Sequence, residues 1–296
     1  MQLGDLTVYL QPETEDQIGP GSRLGNGRYT LVRLLGKGGM GEVWLAERRE
    51  PYVQRVALKV VKPGMDTKAV LSRFEQERQV LAQMSHPNIA KVLDAGVNEQ
   101  GRPYFVMEYV PGKPITEFAD EQKLSIQARL EYFLQVCNAI AHAHQKGVIH
   151  RDIKPTNIML NEDGDVKIGD FGIAQITQGD VTQVMGVIGS PLYMSPEQAS
   201  EDELNNQTDI YSLGAVLFEL IAGRPPFMPG ALTRLLYQLL NESPPKLKEL
   251  RHDVPDKLSE VIDRALSKDL NHRYQTCLEF ATDLARVAGQ AEEPAD

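Results

Sequence analysis

The sequence predicts an α+β protein of two lobes, a small sheet lobe with one main helix followed by a larger, mainly helical lobe. Three observations predict it. Between residues 29 and 108, short runs rich in β-branched and aromatic residues are interrupted once by a strong helical pattern. After Pro111 and Gly112, apolar residues recur at helical spacing in segments separated by proline-rich turns such as Arg224-Pro225-Pro226. The length, 296 residues, is enough to bury a large core shared by two lobes of one unit.

Taken in order, residues 1–28 mix acidic residues, Pro12, Pro20 and glycines with little periodicity, and are expected to form a flexible extension. Residues 6–10 could add an edge strand to the domain. Strands are expected over 29–35, 42–47, 56–61, 92–97 and 104–108, and a helix over 68–84. The small lobe then covers about 29–108, a connector 108–112, and the large lobe 113–288. Its helices are expected over 124–146, with Gly147 as the stop, and over 207–222, 231–241, 257–266 and 277–287. Residues 289–296 read as a polar tail.

Composition excludes several classes. Forty-one acidic against 31 basic residues give a formal charge of −10, which argues against a nucleic-acid-binding surface or one built for anionic lipid. The longest apolar run, 213–222, is broken by Glu219 and falls short of the roughly 20 residues that span a bilayer. The first residues lack the basic start and apolar core of a signal peptide. Cys137 and Cys277 lie far apart in sequence in helical patterns, so two buried thiols in a reducing compartment are expected rather than a disulfide. A cytoplasmic domain, which could belong to something longer, is the expectation.

The chemistry concentrates in His150-Arg151-Asp152-Ile153-Lys154-Pro155-Thr156-Asn157, followed by Asp170-Phe171-Gly172. One short stretch supplies a proton acceptor, a cation and two hard oxygen ligands of the kind magnesium takes. Upstream, the glycine-rich run from Gly36 to Gly41 sits between two strand patterns, where backbone amides can approach phosphates without a Cβ in the way. Alone it reads equally as a hairpin, and it is no Walker loop. Val56-Ala57-Leu58-Lys59 follows about one hairpin later, ending an alternating strand in a lysine. Glu75 and Glu77 on the following helix are both available as its carboxylate partner.

Together these motifs resemble the glycine loop, strand lysine, catalytic loop and magnesium loop of the eukaryotic-type (Hanks-type) protein kinases, and Gly-Gly-Met-Gly-Glu-Val-Trp with Tyr-Met-Ser-Pro-Glu-Gln resembles the bacterial serine/threonine members. The resemblance covers about residues 29–288 and implies the bilobal protein-kinase fold, with an antiparallel sheet in the small lobe. It implies transfer of the ATP γ-phosphate to protein serine or threonine hydroxyls, with Mg2+ or alternatively Mn2+. Asp152 would take or orient the hydroxyl proton, Lys154 would offset developing charge, and Asn157 with Asp170 would hold the metal. Lys59 would grip the α- and β-phosphates, and the resemblance selects Glu77 over Glu75 as its partner. Helical spacing is consistent, since Glu77 shares a face with Phe74, Val80, Leu81 and Met84.

By the same resemblance, Gly36, Gly38, Gly39 and Gly41 would cradle the phosphates, while Leu35, Val43, Ala57 and Met159 would line the slot for the base. Met107 would stand as gatekeeper, with the backbone of Glu108 and Val110 bonding the adenine edge. Arg151 would pair with a phosphate on the segment from Asp170 to Glu197, where Thr182 is the first choice of regulatory site and Thr177 and Ser190 are the others. Glu197 and Arg273 would form a buried ion pair, Asp209 would brace the catalytic loop, and His150 would pack against Phe171. Ser190 stands where threonine is usual and Ser195 where alanine is usual. Ile173 after the Asp-Phe-Gly implies threonine as the favoured acceptor. Pairing of two copies through the small lobe is a further family expectation. The alternative is a nucleotide-binding docking module without turnover, against which the intact catalytic set argues.

Overall fold

The computed structural model describes residues 18–38, 41–62, 84–161, 163–171 and 191–290. Alternation with a period of two organises the small lobe. In β4 (Gln54–Val61), Val56, Leu58 and Val60 are fully buried on one face of the sheet. Ala57 and Lys59 take the other face. The same alternation in β6 (Pro103–Glu108) sends Tyr104 and Val106 to the core within the sheet lobe, and Phe105 and Met107 to the larger core that continues into the helical lobe. Antiparallel pairing of β4 with β6 sets Ala57 opposite Met107 and Lys59 opposite Phe105. That register puts Lys59 and Met107 on the face of the sheet that meets the helical lobe.

Four more strands complete the sheet: β1 (Arg23–Leu24), β2 (Tyr29–Gly38), β3 (Gly41–Arg48) and β5 (Val92–Val97). Their order is β1-β2-β3-β4-β6-β5, with every pairing antiparallel. The expected strands are all present, lengthened at most by a few residues. The expected helix over 68–84 lies outside the described residues except for Met84, which is buried.

Residues 18–28, expected to be part of a loose extension, are docked. Gly21 and Leu31 exchange backbone bonds with their neighbours across β1 and β2, Leu24 is buried in the sheet core, and Arg28 meets Asp94 at 2.7 Å. Gly25 and Gly27, both at positive φ, make the turn that returns the chain into β2.

The helical lobe begins with β7 (Lys113–Pro114) and α1 (Ile115–Glu121), then α2 (Ile126–Gln145). Ser125 caps α2 by accepting from the Ala128 amide, and Gly147, at positive φ, lies just past its end. A small sheet of β7, β8 (Ile158–Leu160) and β9 (Val166–Ile168) underlies the cleft. After α3 (Pro196–Ala199) comes α4 (Asn206–Ala222), buried nearly all round, as its almost continuous apolar sequence requires. It ends at Gly223, in the left-handed conformation that favours glycine. Around it pack α5 (Leu232–Asn241), α6 (Leu247–Leu250), α7 (Asp256–Ala265) and α8 (Cys277–Gln290). Cys137 on α2 and Cys277 on α8 are free and buried, with the Cys277 thiol donating to the Cys137 carbonyl oxygen. Among the described residues no helix is long and apolar enough to cross a membrane.

Candidate active site

The loop between α2 and β8 carries the catalytic motif, and α4 holds it from below. Asp209 on the first turn of α4 accepts the backbone amides of His150 and Arg151, both at 2.8 Å, and His144 Nε2 donates to it at 2.8 Å. Burial pushes the Asp209 carboxyl up, but His144 and His150 outweigh it and hold the group below the usual carboxylate range. The bond to the Arg151 amide matters because Arg151 sits at φ 67, a conformation a non-glycine residue keeps only when its surroundings enforce it. Gln198 adds a bond to the Arg151 carbonyl oxygen.

His150 is fully buried, its Nε2 donating to the Gly169 carbonyl oxygen at 2.9 Å and its Nδ1 accepting the Asp152 amide at 3.3 Å. Both bonds fit the neutral ring with its proton on Nε2. Its ring lies 4.6 Å from that of Phe171, which ties the catalytic loop to the residues after β9. The arrangement orients neighbours and leaves no ring nitrogen for proton transfer.

On the solvent side, Lys154 Nζ meets Asp152 Oδ2 at 2.6 Å, and Asn157 Nδ2 donates to the Asp152 carbonyl oxygen at 2.8 Å. With its amide nitrogen committed, Asn157 keeps Oδ1 as its oxygen for a cation. Lys59, almost wholly buried, reaches Asp170 Oδ2 at 2.9 Å across 111 residues of sequence. Burial raises the Asp170 carboxyl, but the Lys59 ammonium, then that of Lys154, more than reverse this and keep it ionised below its ordinary range. Asp170 is also held at positive φ, at 61°. Asn157 and Asp170 are thus two hard oxygen donors, a set that suits magnesium or manganese.

One cleft of about 970 Å3 joins Lys154, Asn157 and Asp170 to the small lobe. Leu35, Gly36, Gly38, Val43 and Ala57 line it from above, Met107, Glu108 and Val110 from the connector, and Lys154, Asn157, Met159 and Asp170 from below. A Cβ at Gly36 or Gly38 would meet only open space, so the backbone there is exposed to whatever fills the cleft. Gly41 carries a packing requirement as well. A Cβ on it would come within 2.0 Å of the Val60 carbonyl oxygen, so glycine there serves the packing of β3 on β4. The Glu108 amide is used by the Lys91 carbonyl oxygen, so its remaining backbone group for a ligand is the carbonyl.

Glu197 and Arg273 meet in a buried two-pronged pair at 2.7 and 3.2 Å, with Arg273 also bonding the carbonyl oxygens of Ser267 and Gln207. Gly39, Glu77, Thr177, Thr182 and Ser190 lie outside the described residues. Sequence reasoning missed the cleft's outer wall, where Thr116 and Glu117 of α1 stand near Tyr193 and Glu219. Tyr193 donates to Glu219 at 2.5 Å, and burial raises both groups above their usual values. The one signal was Glu219 itself, the charge that breaks the apolar run of α4.

Residues 29–283 match the family model described as the protein kinase domain. The chain is 40% identical over 277 residues to the serine/threonine-protein kinase PknB of Mycolicibacterium smegmatis, covering 90% of this chain and 44% of that protein. It is 39% identical over 270 residues to PknB of Mycobacterium tuberculosis, covering 88% of this chain and 43% of the relative. The chain thus spans less than half the length of these curated relatives. A crystal structure of a mutant Mycobacterium tuberculosis PknI kinase domain superposes with a TM-score of 0.72 at 30% identity, covering 92% of this chain and all of that one. With the family model spanning most of its length and the ion pair and catalytic loop assembled around one interlobe cleft, the chain belongs to the protein kinase family, among the bacterial serine/threonine kinases of the Hanks type.

Proposed function

We propose that the chain transfers the γ-phosphate of ATP to serine and threonine hydroxyls of proteins, with threonine favoured, and that it modifies its own activation segment at Thr182. The observation that carries this reading is the Lys59–Asp170 pair at 2.9 Å together with the Asp152–Lys154 pair at 2.6 Å, of which Asp170 and Lys154 line one cleft with Asn157. Such chemistry needs positioning and charge compensation more than covalent participation.

The base fits the apolar slot of Leu35, Val43, Ala57 and Met159, bonded by the Glu108 carbonyl and the Val110 amide, while Gly36 and Gly38 let amides close on the phosphates. Lys59 orients the α- and β-phosphates, and Glu77 is the further carboxylate that the family resemblance offers it. Asn157 and Asp170 would hold Mg2+, with Mn2+ an alternative, and the ion would supply positive charge against the phosphates. Asp152 receives the hydroxyl hydrogen bond and, as the bond to the γ-phosphorus forms and that to the β-phosphate oxygen breaks, accepts the proton. Lys154, already 2.6 Å from Asp152, stands where charge on the moving phosphoryl group can be offset. Arg151 pairs with phosphate on the activation segment. The buried Cys137 and Cys277 thiols support a cytoplasmic setting.

Incubating the purified chain with labelled ATP and Mg2+ tests the reading. Incorporation into itself or a generic basic protein is expected, absent in Asp152→Asn; equal incorporation by both contradicts it. A peptide library that prefers serine contradicts the acceptor preference, and mass spectrometry after ATP treatment tests Thr182.

A further inference from the structure

A second pocket, of about 500 Å3, opens on the far side of the catalytic loop, where the end of α2, the start of α4 and the start of α8 meet. Its volume lies in the range of small-molecule sites. Ile149, Cys277 and Leu278 form apolar walls, and Gln145 and Asn205 contribute neutral amides. No lysine, arginine, aspartate or glutamate is among its lining residues, so a charged ligand has no counterion there.

His144 also lines this pocket, and its side chain is only 10% exposed. Nε2 of the ring donates to Asp209, which in the neutral ring leaves Nδ1 as an acceptor. That Nδ1 is buried and has no hydrogen-bond partner. A buried polar atom left unpaired is uncommon and carries a cost of roughly 1–3 kcal/mol, which a partner supplied from the pocket would remove.

We propose that this pocket is a regulatory site for a small, uncharged and mainly apolar molecule bearing one N–H or O–H donor, which reaches Nδ1 of His144. The ligand acts on the reaction through a short physical chain. His144 holds Asp209, Asp209 holds the amides of His150 and Arg151, and Asp152 follows directly. Ile149, in the pocket wall, is the residue before His150. Occupancy therefore changes turnover by fixing the catalytic loop and leaves the nucleotide cleft untouched.

Indole is a suitable probe, and benzothiophene has nearly its shape without the N–H. Each is titrated into the full chain saturated with a nonhydrolysable ATP analogue, with methyl resonances of Ile149, Leu204 and Leu278 as the readout. Indole is expected to saturate these shifts with an affinity at least about tenfold tighter than benzothiophene. Leu278→Trp, at an exposed rim position (57% exposed), closes the mouth and is expected to abolish both the binding of added indole and its effect on kcat. In the unmodified chain indole alters kcat by severalfold with the KM for ATP constant. Equal affinity for the two probes, shifts confined to residues of the nucleotide cleft, binding retained in Leu278→Trp, or occupancy without a change in kcat overturns the proposal.

Discussion

Replacing Asp209 separates its bracing of the catalytic loop from simple burial. Its carboxylate satisfies three donors in a site only 1% exposed, namely the amides of His150 and Arg151 and the His144 ring. In Asp209→Ala all three lose their acceptor. At roughly 1–3 kcal/mol for each buried donor left unpaired, less the recovered desolvation of the charge, the loss is about 4 kcal/mol. Asp209→Asn is milder. One oxygen remains for Arg151, and His144 can shift its proton to Nδ1 and accept from the introduced amide, so the His150 amide is the single donor abandoned, at about 2 kcal/mol. In both variants Arg151 loses support for its left-handed backbone, or keeps it only in part, and Asp152 loses its fixed position. A displacement near 1 Å costs roughly 100-fold in such a step, so kcat falls 10- to 100-fold while nucleotide affinity stays within about twofold. Because the Asp209 carboxyl is held below its ordinary value, its contribution is present above the unfolded carboxylate value near pH 4 and is lost as the pH falls through the lower native value. The gap between wild type and Asp209→Asn in urea unfolding is therefore full at neutral pH and closes in acid. A variant Asp209→Asn within about 0.5 kcal/mol of wild type at pH 7, with unchanged kcat, refutes the reasoning.

Arg273→Ala strands Glu197 in a buried site, and urea unfolding is expected to show a loss of about 3–5 kcal/mol; a loss below 1 kcal/mol contradicts the buried pair. Gly41→Ala drives a Cβ against the Val60 carbonyl oxygen and destabilises by about 1–3 kcal/mol, whereas Gly38→Ala meets open space and weakens nucleotide binding with little change in stability. Calorimetry on both variants checks that the two glycines differ in this sense. Lys59→Met removes the cation that holds Asp170 ionised, and a fall in kcat/KM of about 100- to 1,000-fold is expected in a chain that still folds; activity within tenfold of wild type argues against the pair's role.

Periodicity made most of the fold legible. Alternation in the strand ending at Lys59, the β-rich run 104–108, helical spacing in 124–146 and 207–222, and the stop at Gly147 all carry through to the elements observed. The short elements escaped because they have too few residues to show a period. β1, β8, β9 and α3 are two to four residues long and exist by pairing or capping, as where Ser195 and Gln198 box the start of α3. The candidate site was readable wherever motif order stood in for distance, as for Lys59 and Asp170. The packing role of Gly41 was not legible because glycine marks both ligand approach and close strand packing, and only the neighbour at Val60 reveals the second. Tyr193 with Glu219 and His144 with Asp209 were missed because each joins residues 26 or 65 positions apart with no motif linking them.

The central claim is that Lys59, Asn157 and Asp170 converge on a triphosphate between the lobes. A crystal structure of the chain with Mg2+ and a nonhydrolysable ATP analogue tests it most directly. The prediction is a nucleotide whose base lies against Ala57 and Met159, whose phosphates touch Lys59, and whose metal is bound by Asn157 and Asp170. A nucleotide bound away from these side chains, or a metal held by neither oxygen donor, contradicts it.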